Sequence, residues 1–439
     1  MEKLIIEGGY PLKGRIVLAG AKNSGFKLLI ASLLAASPSE IIGYSRIGDI
    51  EITQKIIEAL GGGIERVDHQ LKVFPQTLSS YSVPAELGKI SRACSLFIPP
   101  LLFRFGRAIV PLPGGDRIGL RPIDRHLQGL EALGAKIEKK KGFYEISAPQ
   151  GLRGKKFKFV KNTHTGTDTL LMAAAFAKGK TILENAAEEP ETDDLINYLN
   201  KMGAKIRRVA QRKIEITGVK KFIGASYEVM PDRNEAVTFG LAALATQGDI
   251  FVERARPEYL QAFLEKVKEC GGGYQVMPKG IRFWRNNELQ ATEVKAVPYP
   301  GFMTDWQALW TVLMTQAKGK SIVQETIFEN RFGYAADLIK MGAKIELFNP
   351  RVKNPKQFYN FNWEDNRPEY FHAARISGPT PLKGGLLTIA DIRAGATLIL
   401  AALLAHGRTE LTGVEHIDRG YEEFDFRLRK LGAKIKRIG

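Results

Sequence analysis

Six times in this chain a helix-like stretch runs into a Gly-centred stop and then a strand. The stops are Leu60-Gly61-Gly62-Gly63-Ile64, Leu133-Gly134-Ala135-Lys136-Ile137, Met202-Gly203-Ala204-Lys205-Ile206, Cys270-Gly271-Gly272-Gly273-Tyr274, Met341-Gly342-Ala343-Lys344-Ile345 and Leu431-Gly432-Ala433-Lys434-Ile435. From Gly61 onward the steps are 73, 69, 68, 71 and 90 residues. A near-constant period is an internal repeat, and it fixes the architecture before any site is considered. Each stop places Gly where a helix ends in a left-handed residue.

Upstream of the stop, each unit carries a small-residue-rich apolar helix pattern that turns into a strand. The clearest copies are TDTLLMAAAFAKGKTILEN from Thr167, NEAVTFGLAALATQGDIFVER from Asn234 and IRAGATLILAALLAHGRTELTG from Ile392. A second helix is more polar, as in ITQKIIEAL from Ile52 and LINYLNKM from Leu195. The unit therefore reads strand, helix, strand, helix, strand, strand. An Ala- and Gly-rich apolar helix needs burial on most of its surface, whereas a polar-faced one needs solvent on one side. Three units can gather their apolar helices inside and their sheets outside. Six exceed the usual size of one core, so the expected division is three and three. The long last step implies an excursion at 348–372, rich in Asn, Pro, aromatic and charged residues, as suits a surface insertion.

Composition excludes several classes. No run of 18 apolar residues occurs and the first ten residues lack a signal-peptide hydrophobic stretch, so a soluble cytoplasmic protein without membrane contact is expected. Two cysteines, Cys94 and Cys270, do not make a disulfide framework. Lys and Arg exceed Asp and Glu by 64 − 47 = 17. That surplus fits acidic partners, either nucleic acid or phosphorylated small molecules, or plain solvated surface, and no recognised nucleic-acid module accompanies it.

The most specific segment is Leu112-Pro113-Gly114-Gly115-Asp116-Arg117-Ile118-Gly119-Leu120-Arg121-Pro122-Ile123-Asp124-Arg125-His126. Read alone it is a Gly-rich loop that folds over a ligand, or a surface turn. Gly20-Ala21-Lys22-Asn23-Ser24, Thr304-Asp305-Trp306-Gln307, Glu329-Asn330-Arg331-Phe332, Asp391-Ile392-Arg393 and His416-Ile417-Asp418-Arg419-Gly420-Tyr421 set Lys, Arg and carboxylates at strand–helix junctions. Singly, each Arg fits an ion pair as well as a ligand. Asp305 equally fits a carboxylate at a helix start, and His126 a helix-surface side chain.

Together, and in this order, the motifs GAKN, LPGG-x-x-IG-x-RP-x-D-x-H, PDR-x-E, TD-x-Q, ENRF, D-x-RA and HIDRGYE resemble the enolpyruvyl transferase family over essentially the whole chain. The likeness is greatest to the branch acting on UDP-N-acetylglucosamine. It implies an α/β fold of two inside-out α/β barrel domains, six βαβαββ units in all, with the active site in the interdomain cleft. One domain would be discontinuous, 1–21 plus 230–439 with the excursion at 348–372. The other would be 22–229, carrying a mobile 112–122 loop.

The implied reaction moves the enolpyruvyl group of phosphoenolpyruvate to the 3′-hydroxyl of UDP-N-acetylglucosamine and releases phosphate, the first committed step of peptidoglycan synthesis. It needs no metal or organic cofactor, and no obligate protein partner is implied. By position, Lys22, Asn23, Arg121, Arg331, Arg393 and Arg419 would bind phosphoenolpyruvate. Asp116 would be the general acid and Asp305 the base, with Lys22 and Asn23 also catalytic. The nucleotide sugar would fall on Arg92, Arg121, Pro122, Ile123, Asp124, Arg125, His126, Asn162, Thr163, His164, Thr165, Gly166, Asp305 and Ile327.

Two positions and one short run depart from the family pattern. Asp116 stands where most members have the Cys that fosfomycin alkylates, which predicts transfer without fosfomycin sensitivity. Gly48 replaces a frequent basic residue before Asp49-Ile50, and residues 162–166 differ from the usual Ser-containing run. Alternatives are another nucleotide sugar, shikimate 3-phosphate, or a non-catalytic paralogue. Against the shikimate reading, the chain lacks a Gly-Asn-Ala-Gly-Thr segment.

Overall fold

The computed structural model describes residues 2–114, 119–285 and 287–439, apart from the side chain of Arg393. All six repeated glycines hold left-handed backbone: Gly61 at φ +90°, Gly134 at +101°, Gly203 at +102°, Gly271 at +79°, Gly342 at +102° and Gly432 at +101°. In every copy the next N–H returns to a carbonyl five residues back. The pairs are Gly62 to Ile57, Ala135 to Leu130, Ala204 to Leu199, Gly272 to Val267, Ala343 to Leu338 and Ala433 to Leu428, all between 2.9 and 3.1 Å. This is the 6→1 closure that consumes orphan carbonyls at a helix end. The repeat read from sequence is thus one capping motif used six times.

The described strands form six sheets, one per repeat. Lys156–Lys158 runs parallel to Lys180–Glu184, which pairs antiparallel with Lys213–Thr217, itself antiparallel to Lys205–Ala210. A parallel pair cannot be closed by a hairpin. The buried helix His164–Ala174 makes the crossover, and Pro190–Lys201 leads to the final hairpin. The same a–b–d–c order recurs in four other sheets. In the sixth, Arg107–Pro111, Lys136–Lys140 and Phe143–Ser147 lack a full leading strand, which is reduced to the parallel bridge Ser82 to Ile109.

The chain divides into two compact units. The first comprises 1–19, a short segment ending at Arg121, and Pro231–Gly439; the second comprises Gly20–Gly115 and Pro122–Met230. Residues 119–121 therefore group with the first unit, whereas the sequence reading carried the whole 112–122 loop in the second. Three sheets are completed by distant strands, the first by Lys13–Val17, which leads beside Asp249–Glu253. Lys3–Glu7 supplies the last strand beside Arg408–Thr412 and Lys434–Ile438, and Ser226–Glu228 supplies the leading strand beside Ser39–Ile42.

In the first unit, helices Arg233–Ala245, Thr304–Met314 and Ile392–Leu404 pack on one another. Every residue of Arg233–Ala245 is buried. Its small residues permit close approach, and a Cβ on Gly240 would lie 3.3 Å from the Phe283 ring. In the second, Ile98–Phe105 packs on His164–Ala174, and Lys22–Ala31 on Gly48–Ala59 and Pro190–Lys201. Helices inside and sheets outside is the predicted inside-out arrangement. Both cysteines are free and buried, and no helix among the described residues is long and apolar enough to cross a membrane.

The excursion sits inside a hairpin. Four hairpins of the repeat turn in two residues, but Lys344–Phe348 and Ala373–Gly378 are joined through 349–372. A cluster of its own aromatics holds it: Tyr359 stacks on Trp363 at 5.2 Å and 15°, with Phe361 and His372 alongside. The Asn360 N–H ties it to the Thr326 carbonyl at 2.7 Å.

Candidate active site

In the second unit, Lys22 is the first residue of Lys22–Ala31 and has no side-chain N-cap beside it. A cation at a helix N-terminus opposes the helix dipole. Asp49, in the first turn of Gly48–Ala59 where a carboxylate is favoured, offsets this at Nζ–Oδ2 2.7 Å. Both side chains are nearly buried, 13% and 10% exposed. Asn23 follows, half-buried.

The nucleotide-sugar candidates of this unit converge. Arg92 donates from Nη2 to the Pro122 carbonyl at 2.9 Å, and Arg125 from Nη1 to the Asn162 carbonyl at 3.2 Å. Asn162 is itself anchored by its Nδ2 on the carbonyls of Asn185 and Ala186. Thr163 caps helix His164–Ala174 by accepting from the Gly166 N–H. Ile123 is buried, and Asp124 opens helix Asp124–Ala132. His126 Nε2 lies 2.9 Å from Thr165 Oγ1. At 2% exposure His126 is no helix-surface side chain. Burial, then the charges of Arg92 and Arg125, push its pKa down to about 3, so the imidazole is neutral.

In the first unit, Asp305 lies in the first turn of Thr304–Met314 and is the only residue of that helix not fully buried. Arg331, 4% exposed, sets Nη2 3.3 Å from Asp305 Oδ1. The guanidinium of Arg331 lies 5.9 Å from the Phe328 ring centroid and that of Arg121 5.6 Å from it. Two cations thus lie over one aromatic ring, each in a favourable charge–quadrupole contact. Arg121 holds φ +49°, uncommon for a residue with a side chain. Ile327 is half-buried, its N–H bonded to Glu325. Arg419 is half-buried directly after Glu415–Asp418. Arg393 is the second residue of Ile392–Leu404, and its side chain lies outside the described residues, as does all of Asp116.

Glu325 escaped the sequence reading, and Glu329 was named there without a role of its own. Glu325 accepts from the Thr304 hydroxyl at 2.7 Å and from the Ile327 and Phe328 N–H groups. Glu329, 2% exposed, accepts the Leu120 N–H, and Gly119 permits that approach: a Cβ there would lie 2.4 Å from the carboxylate. Glu325 stands four residues before ENRF, but nothing local links it to Thr304. Among the described residues no group of three or more His, Cys, Asp or Glu side chains converges as a metal site. Chemically, the first-unit group offers a braced carboxylate beside cations that suit an anionic substrate.

The family described as EPSP synthase (3-phosphoshikimate 1-carboxyvinyltransferase) matches residues 6–428. Proteins named UDP-N-acetylglucosamine 1-carboxyvinyltransferase are similar over the full length. The one from Trichlorobacter lovleyi is 42% identical, covering 100% of this chain and 99% of its own. One from Caldanaerobacter subterraneus subsp. tengcongensis, numbered 3, is also 42% identical and covers 100% of both. Among solved structures, the enolpyruvyl transferase NikO from Streptomyces tendae superposes with TM-score 0.86 at 22% identity, covering 99% of this chain and 98% of that one. EPSP synthase from Acinetobacter baumannii gives 0.72 at 17%, with full coverage of both.

Proposed function

The chain belongs to the EPSP synthase (3-phosphoshikimate 1-carboxyvinyltransferase) family of enolpyruvyl transferases, and on that premise we propose that it transfers the enolpyruvyl group of phosphoenolpyruvate to the 3′-hydroxyl of UDP-N-acetylglucosamine, releasing phosphate. The full-length relatives at 42% identity favour this acceptor over shikimate 3-phosphate. The Asp305–Arg331 pair carries the chemistry: a carboxylate at the one partly exposed position of a buried helix, braced by a guanidinium.

In this reading Asp305 accepts the sugar hydroxyl proton as the oxygen bonds C2 of phosphoenolpyruvate. Asp116 protonates C3, giving a tetrahedral intermediate. Asp116, now ionised, takes back a C3 proton as the C2–O bond to phosphate breaks, which expels phosphate and restores the enol ether. Lys22, Arg121, Arg331, Arg393 and Arg419 hold the carboxylate and phosphate, guanidinium forks being suited to both. Asn23 hydrogen-bonds the intermediate. Arg92, residues 121–126 and 162–166, Asp305 and Ile327 receive the nucleotide sugar. The activity would serve peptidoglycan synthesis in the cytoplasm.

The test is phosphate release from phosphoenolpyruvate with UDP-N-acetylglucosamine, with shikimate 3-phosphate, and with no acceptor. Release only with the nucleotide sugar supports the reading. Release with shikimate 3-phosphate alone, or with neither acceptor, overturns it.

A further inference from the structure

Lys27 and Asp168 in the second unit have no part in the function proposed above. Both side chains are 0% exposed, and Lys27 Nζ lies 2.6 Å from Asp168 Oδ2. The pair joins helix Lys22–Ala31 to helix His164–Ala174. Asp168 Oδ1 accepts the Thr192 hydroxyl at 3.0 Å, which fixes the carboxylate. Lys27 Nζ also lies 2.7 Å from His164 Nε2. Asp168 Oδ2 is 3.8 Å from that nitrogen, beyond hydrogen-bond reach, so Lys27 stands between the carboxylate and the ring.

The chemistry of the three groups sets the tautomer. An ammonium paired with a carboxylate has donors and no acceptor, so His164 Nε2 must accept from it. The ring proton of the neutral imidazole then sits on Nδ1. The His164 side chain keeps 23% exposure. With Nε2 engaged by Lys27, the donor that the ring offers is Nδ1–H.

We propose that Lys27 and Asp168 are positioning residues that hold His164 as a fixed Nδ1–H donor to an unprotonated oxygen of the UDP moiety, making His164 a determinant of acceptor recognition. This rests on the nucleotide-sugar reading above. It also explains why residues 162–166 depart from the family pattern: a donor side chain is installed there together with its buried support.

The test uses the full chain. Long-range ¹⁵N–¹H correlation of labelled histidines, with His164 assigned by loss of its signals in His164→Gln, reports the tautomer without any ligand. Titration calorimetry with UDP, UMP and uridine reports binding without turnover. The wild type is expected to show the Nδ1–H form at His164. Lys27→Arg, another donor-only cation, should keep it. Lys27→Met leaves Asp168 unpaired and is prone to misfold, so the decisive variant is Lys27→Met/Asp168→Leu, which removes both buried charges.

That double variant should melt cooperatively, lose the fixed tautomer, and bind UDP about tenfold more weakly, as expected for one hydrogen bond. The KM for phosphoenolpyruvate should not change. A loss confined to UDP places the contacted oxygen on the diphosphate; a loss shared with uridine places it on the nucleoside, and either supports the proposal. An Nε2–H tautomer in the wild type, or UDP affinity within twofold in the double variant, overturns it. Absence of UDP binding by the wild type instead sinks the nucleotide-sugar reading, and the ligand assigned to His164 falls with it.

Discussion

The Thr304 hydroxyl donates to Glu325 Oε2 at 2.7 Å, one residue ahead of Asp305. The other oxygen of Glu325 accepts the N–H groups of Ile327 at 2.6 Å and Phe328 at 3.2 Å. The end of strand Gly319–Glu325 and the start of helix Thr304–Met314 are therefore tied through one buried carboxylate. Burial raises its pKa to about 7, against the pull of these donors and of Arg331. A carboxyl whose pKa is raised on folding gives stability that is present below the unfolded value, near 4.5, and is lost as pH rises through about 7. Glu325→Gln should remove that loss, worth at most about 3 kcal/mol. Thermal melts from pH 4.5 to 7.5 check it: the wild-type Tm should fall with pH relative to the variant, and parallel curves would contradict the assignment.

His126 has the opposite sign. Held neutral with a pKa pushed down to about 3, it gives stability that is present above its usual value near 6.5 and lost as pH falls toward 3. His126→Gln should flatten the acid side of the stability profile, by up to about 5 kcal/mol. The contrast with Glu325→Gln separates the two: one variant changes the profile toward neutrality, the other toward acid. A His126→Gln protein as acid-sensitive as the wild type would show that another group governs that limb.

What the sequence showed and what it hid follow from the range of the interactions. The six stops were legible because a left-handed helix end demands Gly locally, at Gly61 as at Gly432. The apolar helices were legible because Arg233–Ala245 is buried on every side and its composition says so. Motif residues such as Arg125 and His126 were legible because neighbours in the chain stay neighbours in the fold. Pairings across the chain were not: nothing near Lys27 announces Asp168, and nothing near Thr304 announces Glu325. The 348–372 excursion was visible as an irregular step of insertion-like composition, but its aromatic packing around Tyr359 was not, because it follows no repeat.

Gly119 holds φ +139° and stands where any Cβ would meet the buried Glu329 carboxylate at 2.4 Å. Gly119→Ala should therefore displace the Leu120 N–H from Glu329 and misplace Arg121, at little cost to global stability because the site is local. A misplaced positioning group costs catalysis steeply. We expect kcat/KM for phosphoenolpyruvate to fall at least tenfold, with Tm within a few degrees. Unchanged kinetics would show that the Glu329 contact has no part in turnover.

In the proposed function Asp116 takes the place of the thiol that the family resemblance implies, and a carboxylate does not form the stable thioether that traps fosfomycin. Transfer should continue in the presence of the drug. Asp116→Cys should gain time-dependent inactivation while keeping measurable turnover. Time courses of phosphate release after preincubation distinguish the cases. Rapid inactivation of the wild type would remove Asp116 from this role.

Asp305 has two readings, a carboxylate that favours a helix start and a base that takes the sugar proton, and they predict different losses. As a helix-start charge alone, Asp305→Asn should cost about 0.5 kcal/mol of stability and leave turnover nearly intact. As the base, the amide cannot accept the proton, and kcat should fall about 10²- to 10⁴-fold. Arg331 remains beside the amide oxygen, so UDP-N-acetylglucosamine affinity should change only a few-fold. Single-turnover phosphate release, paired with calorimetric binding of the nucleotide sugar, reads both quantities on the same protein. A large kcat loss with retained binding assigns the proton transfer to Asp305. Loss of binding without loss of the chemical step would instead make it an acceptor-holding residue and move the base elsewhere.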